Sequence, residues 1–110
     1  MHRVYLAVEP IDFRKGISGI AALCQQQFRL NPLSGHYFVF RNRAKNAVKI
    51  LYYDTQGFCL FHKRLSTGRF YGWPQHSQAV IALTPTQVSV LLANGQPESV
   101  VTAAPWKHVA

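Results

Sequence analysis

The reactive side chains in this sequence are mostly cations. In "HYFVFRNRAKNAVKILYYDTQGFCLFHKRL", His36 to Leu65, the residues Arg41, Arg43, Lys45, Lys49, Lys63 and Arg64 are interleaved with aromatic and β-branched residues. Asp54 is the sole acid of that stretch. Arg14 and Lys15 lie upstream and Arg69 just downstream. Cations neutralise phosphate and exposed rings offer stacking surface, so this mixture suits a nucleic-acid-binding sheet. The competing reading puts the rings in the core and lets the cations reach solvent from strand ends and loops. Arg41, Arg43 and Lys45 count against it as a group, because a loop gains no stability from three like charges.

Other chemistry is sparsely supplied. Metal-assisted strand transfer needs several carboxylates converging on the ions, and the chain has four acids, Glu9, Asp12, Asp54 and Glu98. Asp12 reads as a helix cap and Asp54 as a turn residue. His2, His36, His62, His76 and His108 show no ligand spacing, and there is no Gly-rich phosphate loop. Nothing marks Tyr71 as a nucleophile over a packed ring. Cys24 and Cys59 lack a C-x-x-C spacing and read as reduced thiols, with a disulfide between them left open. The residues therefore imply no catalytic site, no metal and no cofactor.

With 12 Lys and Arg against 4 acids, the 110-residue chain carries a net charge of +8, and its pI is about 10.0. That imbalance points to a polyanionic partner. The first apolar run is too short for a signal peptide and no run approaches membrane-spanning length, so a cytoplasmic protein is expected.

The elements that must hold the cations can be read from pattern. Arg3 to Val8 reads as a strand stopped by Pro10. Phe13, Ile17, Ile20, Cys24 and Phe28 recur at spacings of three and four and predict a helix capped by Asp12 and ended by "NPLSG". Arg14 and Lys15 then fall in its first turn, where positive charge opposes the helix dipole. Phosphate bound there would explain them, and so would a salt bridge from Arg14 to Asp12 or Glu9. His36 to Phe40, Ala47 to Tyr53, Phe58 to Leu65 and Arg69 to Trp73 read as four strands of a meander, with "DTQG" as a type I turn between the second and third. Gly68 stands where a positive φ is needed. Ala79 to Leu83 reads as one more strand. "TPTQVSVLLANG" predicts a helix with Thr84 as cap, Pro85 at its first position, and Gln87 completing a capping box. The sum is α+β: a strand, a helix, an antiparallel meander of about four strands and a C-terminal helix. Both helices are expected on one face of a mostly antiparallel sheet. Residues 1–95 read as one domain and 96–110 as an extended or mobile tail.

Four blocks in this order, "DFRKG" at 12–16, "NPLSGHYFVFRNR" at 31–43, "KILYYDTQGFCLFHKRLSTGRFYGWP" at 49–74 and "LTPTQVSVLL" at 83–92, closely resemble the small accessory protein, TnpB, of the IS-sixty-six family of bacterial insertion sequences. That family is unrelated to the RNA-guided nuclease of the same name. The resemblance implies a role in DNA transposition beside a separate, larger transposase that carries the catalytic carboxylates. It supplies a process and no biochemical activity for the accessory protein.

The expectation is a non-catalytic factor that binds DNA, at transposon ends or target, through Arg14, Lys15, Arg41, Arg43, Lys45, Lys49, Lys63, Arg64 and Arg69. One alternative is an adaptor that docks on the transposase through a sheet edge, an edge that could equally form a homodimer. The other is an RNA-binding module, from the likeness of "GHYFVF" and "VYLAV" to the aromatic strands of RNA-recognition motifs. All of these readings require the cations to gather on one surface.

Overall fold

Five runs rich in β-branched and aromatic residues form one sheet: β1 (Val4–Ala7), β2 (Tyr37–Arg41), β3 (Ala47–Tyr53), β4 (Phe58–Arg64) and β5 (Val80–Leu83). Two helices accompany it, α1 (Ile17–Gln26) and α2 (Pro85–Leu92). The structure, a computed structural model, describes residues 2–94. The expected tail, 96–110, lies outside the described residues. The order across the sheet is β4-β3-β2-β1-β5. β2, β3 and β4 form an antiparallel meander, with Val39 opposite Ile50 and Ile50 opposite Phe61. β1 runs parallel to β2, Leu6 opposite Val39, and antiparallel to β5, Leu6 opposite Ile81. The α+β class and the mostly antiparallel sheet are as the sequence implied.

Successive residues of a strand point to opposite faces, and here each face has its own core. Val4, Leu6, Val8, Val39, Val48 and Ile50 pack with Leu91 of α2 and with Phe70 and Trp73. Ala7, Phe38, Phe40 and Leu51 pack with Ile20 and Cys24 of α1. The helices thus lie on opposite faces, not on one as expected. The reason is visible in the strands: β1 to β3 are apolar at consecutive positions, the pattern of strands covered on both sides. The mixed ring-and-cation open face expected from alternation therefore does not exist.

Two further expectations change. Arg69 to Trp73 is not a fourth meander strand. The chain leaves β4 and crosses the α2 face, and Phe70 N–H donates to the Lys45 carbonyl at 2.8 Å. Phe70 and Trp73 are buried in that crossing, and the Trp73 indole N–H donates to the Ala7 carbonyl at 3.0 Å. The alternating rings were anchors for a loop. The chain then reaches the far edge as β5, beside β1.

α1 begins at Ile17 with Gly16 as its cap, four residues beyond the Asp12 cap the periodicity predicted. Asp12 instead closes a local turn, accepting the Arg14 N–H at 2.9 Å, the competing use that suits short acidic side chains. At the far end Arg29 takes a left-handed φ of 55°, which stops the helix before the "NPLSG" signal. α2 forms as read: Thr84 Oγ1 accepts the Gln87 N–H at 3.1 Å and Gln87 Oε1 accepts the Thr84 N–H at 2.8 Å.

Gly68 has the expected positive φ of 80°. The turn between β3 and β4 is not type I, since Thr55 has φ of 82°. Such a conformation is rare for a β-branched residue. Asp54 holds it, accepting the N–H groups of Gln56 and Gly57, both at 3.0 Å. Those two bonds draw the Asp54 carboxyl below its ordinary pKa. Cys24 and Cys59 are free thiols, and burial pushes Cys24 up to about 12. No helix among the described residues is long and apolar enough to cross a membrane.

Candidate nucleic-acid interface

The cations collect where β2 ends, β3 begins and β4 ends. Arg43 and Lys45 sit in the β2–β3 hairpin, whose backbone is fixed by Asn42 Oδ1 accepting the N–H groups of Asn46 and Ala47 at 3.0 Å. Lys45 takes a left-handed φ of 64° at its tip. Arg64 pairs with Ala47 across β3, and the Leu65 N–H donates to the Asn46 carbonyl. Arg69 is placed by the Phe70–Lys45 bond and by its own carbonyl, which accepts from Asn94 Nδ2 at 2.9 Å. On the other side of the hairpin Ile11 bridges Asn42, which brings the 12–16 loop with Arg14 and Lys15 to the same end. From β4 across to that loop is three strand spacings, about 15 Å. That is comparable to the ~12 Å major groove between two phosphate rows.

The nine predicted cations separate by what their charges touch. Lys49 is buried. Its Nζ donates to the Phe13 carbonyl at 2.9 Å and the Lys15 carbonyl at 3.4 Å, over the Phe13 ring at 4.9 Å. It fastens the 12–16 loop to the sheet. Lys63 donates to the Leu92 carbonyl at 2.6 Å, placing a cation on the negative end of α2. Arg41 lies over the Trp73 ring at 5.0 Å with its Nε buried and unpartnered. Burial lowers its pKa, and Glu9 partly offsets this. Arg14 is exposed but paired with Asp12 at 2.7 Å. That pair, with the Arg14 N–H, holds the Asp12 carboxyl well below the usual carboxylate range, and it is the salt-bridge alternative for Arg14. Neither Arg14 nor Lys15 belongs to a helical turn, though Lys15 directly precedes the Gly16 cap of α1 and its side chain lies beside Gly19 in the first turn.

Lys15, Arg43, Lys45, Arg64 and Arg69 remain. All five are exposed, and no hydrogen bond or ion pair among the described residues engages their charged ends. Of the acids among the described residues, Glu9 acts on Arg41 and Asp12, paired with Arg14, on Arg43, while Asp54 is at the opposite end in the β3–β4 turn. Sequence reading did not separate anchoring from free cations. Lys49 offered the one signal, standing inside an otherwise apolar strand.

Replacing Lys49 by Met keeps the aliphatic stem and leaves the Phe13 carbonyl without its donor. The expected loss is about 1–3 kcal/mol of stability, measured by urea unfolding.

Of the rings that suggested RNA recognition, Phe38 and Phe40 are each 1% exposed, beneath α1, and offer no face to a base. Tyr37 is exposed and its ring packs against that of Tyr52 at 4.9 Å.

Fold and surface together define a small basic α+β protein with a sheet covered on both sides and a cationic end. The chain belongs to the TnpB family of IS66 insertion sequences, described as IS66 Orf2 like protein, which matches residues 2–101. Membership makes it an accessory protein of an insertion sequence. It is 44% identical over 91 residues to the uncharacterized protein y4hO of Sinorhizobium fredii, covering 83% of this chain and 78% of that one. It is 32% identical over 91 residues to the uncharacterized protein y4jC of the same organism, covering 83% and 77%. No solved structure matches the chain.

Proposed function

We propose that the protein is a non-catalytic, cytoplasmic accessory factor in transposition. It binds DNA through the cationic end of its sheet and works beside the transposase of the same element. The observation that carries this reading is the set of five exposed, unpaired cations, Lys15, Arg43, Lys45, Arg64 and Arg69, on one end of the sheet. Like charges held together by hydrogen-bonded loops gain nothing from one another, and a polyanion relieves their repulsion. The absence of catalysis is supported by the placement of Asp12 and Asp54 at opposite ends, each committed to a local turn. Arg41, with its ring-stacked guanidinium, stands at the margin of the interface.

Five phosphate contacts give a slope of log affinity against log salt near −4.5, or about a 500-fold loss between 50 and 200 mM salt. Titration of labelled duplex DNA across that range tests it. A flat salt response, or no binding at the low end, removes the reading. Cleavage of a transposon end by the purified protein with Mg²⁺ or Mn²⁺ would contradict its non-catalytic part.

A further inference from the structure

Among the described residues, the outer edge of β4 is a long open strand edge. β4 has seven residues with no proline, and an uncovered edge of that length is normally blunted or paired. Its backbone polarity is fixed by its ends. The Leu65 N–H donates to the Asn46 carbonyl and the Asp54 N–H to the Gly57 carbonyl. In the β3–β4 register, the directly bonded pairs therefore fall at Cys59, Phe61 and Lys63. The N–H and C=O groups of Phe58, Leu60, His62 and Arg64 point away from β3, to the open side.

We propose that the protein forms a homodimer by antiparallel pairing of two β4 strands about a twofold axis at Phe61, joining the two sheets into one. Phe58 then bonds with the second copy's Arg64, and Leu60 with the second copy's His62. This register pairs every outward N–H and C=O of the strand, and a shift along the strand leaves some unpaired. It also settles the charges. Arg64 lies opposite Phe58 of the other copy and Lys63 opposite Cys59, so no cation meets a cation. An axis moved to Lys63 would oppose that lysine to itself, a destabilising juxtaposition. On the α2 face, Phe61 meets its own copy across a non-bonded pair, where side chains approach closest. Phe61 is 44% exposed in the single chain, and this contact covers it. The other edge, β5, has four residues and offers less.

The test uses the full chain, nuclease-treated and in high salt, so that its outcome is independent of DNA binding. Light scattering across a concentration series should approach twice the 12.4 kDa chain mass. Phe61→Lys, which sets two charges on the axis, should return the mass of one chain with an unchanged circular dichroism spectrum. In a Cys59→Ala background, Phe61→Cys should form an intermolecular disulfide under mild oxidation. The expected Cα separation of about 4.5 Å falls within disulfide reach. His62→Cys, which faces Leu60 across the axis, should not form it. If Phe61→Lys unfolds the chain, the two cysteine variants decide. A mass of one chain at every concentration overturns the proposal, including the case in which only transposase adds to the edge. So does a dimer that survives Phe61→Lys and resists cross-linking through Phe61→Cys.

Discussion

Changing Arg43, Lys45 and Arg64 together to glutamine should reduce the salt slope of DNA binding from about −4.5 to about −1.8. The loss of affinity between 50 and 200 mM salt then shrinks from about 500-fold to about 12-fold. Changing Lys15 and Arg69 as well should abolish the salt response. The fold should persist, because exposed substitutions away from special features stay within about 0.5 kcal/mol, and none of these side chains holds a partner. Arg3 and Arg29 are the controls. Both are exposed. Arg3 precedes β1 beside His36, to whose ring its N–H donates, and Arg29 follows α1. Both belong to the end of the sheet away from the hairpin. Arg3→Gln with Arg29→Gln should leave the slope unchanged. An equal fall in slope with these controls would mean diffuse charge, not a defined interface.

The second large effect is at Trp73. Trp73→Ala should cost about 3–5 kcal/mol, a large part of the 5–15 kcal/mol typical of a domain. The melting temperature should fall by more than about 12 °C. Three losses combine: a buried ring, the hydrogen bond to the Ala7 carbonyl, and the surface under Arg41. Trp73→Phe keeps most of the ring and loses the N–H, so a cost nearer ~1 kcal/mol is expected. Thermal and urea unfolding of both variants measure the difference. A Trp73→Ala loss below that of Trp73→Phe would show that the 66–79 crossing is not anchored there.

What the sequence could and could not disclose follows from the range of the interactions. The strand patterns of β1 to β5 and the capping box of α2 are local, and each is legible in a few neighbouring residues. The start of α1 was not, because Asp12 had two local uses and the turn with Arg14 prevailed over the cap. The strand expected at Arg69 to Trp73 failed for a non-local reason: alternating rings mark burial, and only the tertiary path showed that no strand lay beside them. The placement of the helices was encoded in the consecutive apolar residues of β1 to β3, a signal that alternation in β4 obscured. At the cationic end of the sheet, the cluster was legible as composition. The division between Lys49 or Lys63 and the five free cations depends on which carbonyls the fold brings within reach.

The position of β1 sets an order of events during synthesis. Val4 stands between Tyr37 on one side and Leu83 on the other, so β1 leaves the ribosome before either of its neighbours and is among the last of the five strands to be enclosed. The meander from Tyr37 to Arg64 is contiguous and closes through short hairpins, the contacts that form fastest. At a translation rate of about 5–20 residues per second, β1 waits several seconds for its second neighbour. A message truncated before Val80 would leave that apolar strand unpaired along one side, with the cationic hairpin already formed. The fragment would be prone to aggregation, even though every residue of the hairpin is present.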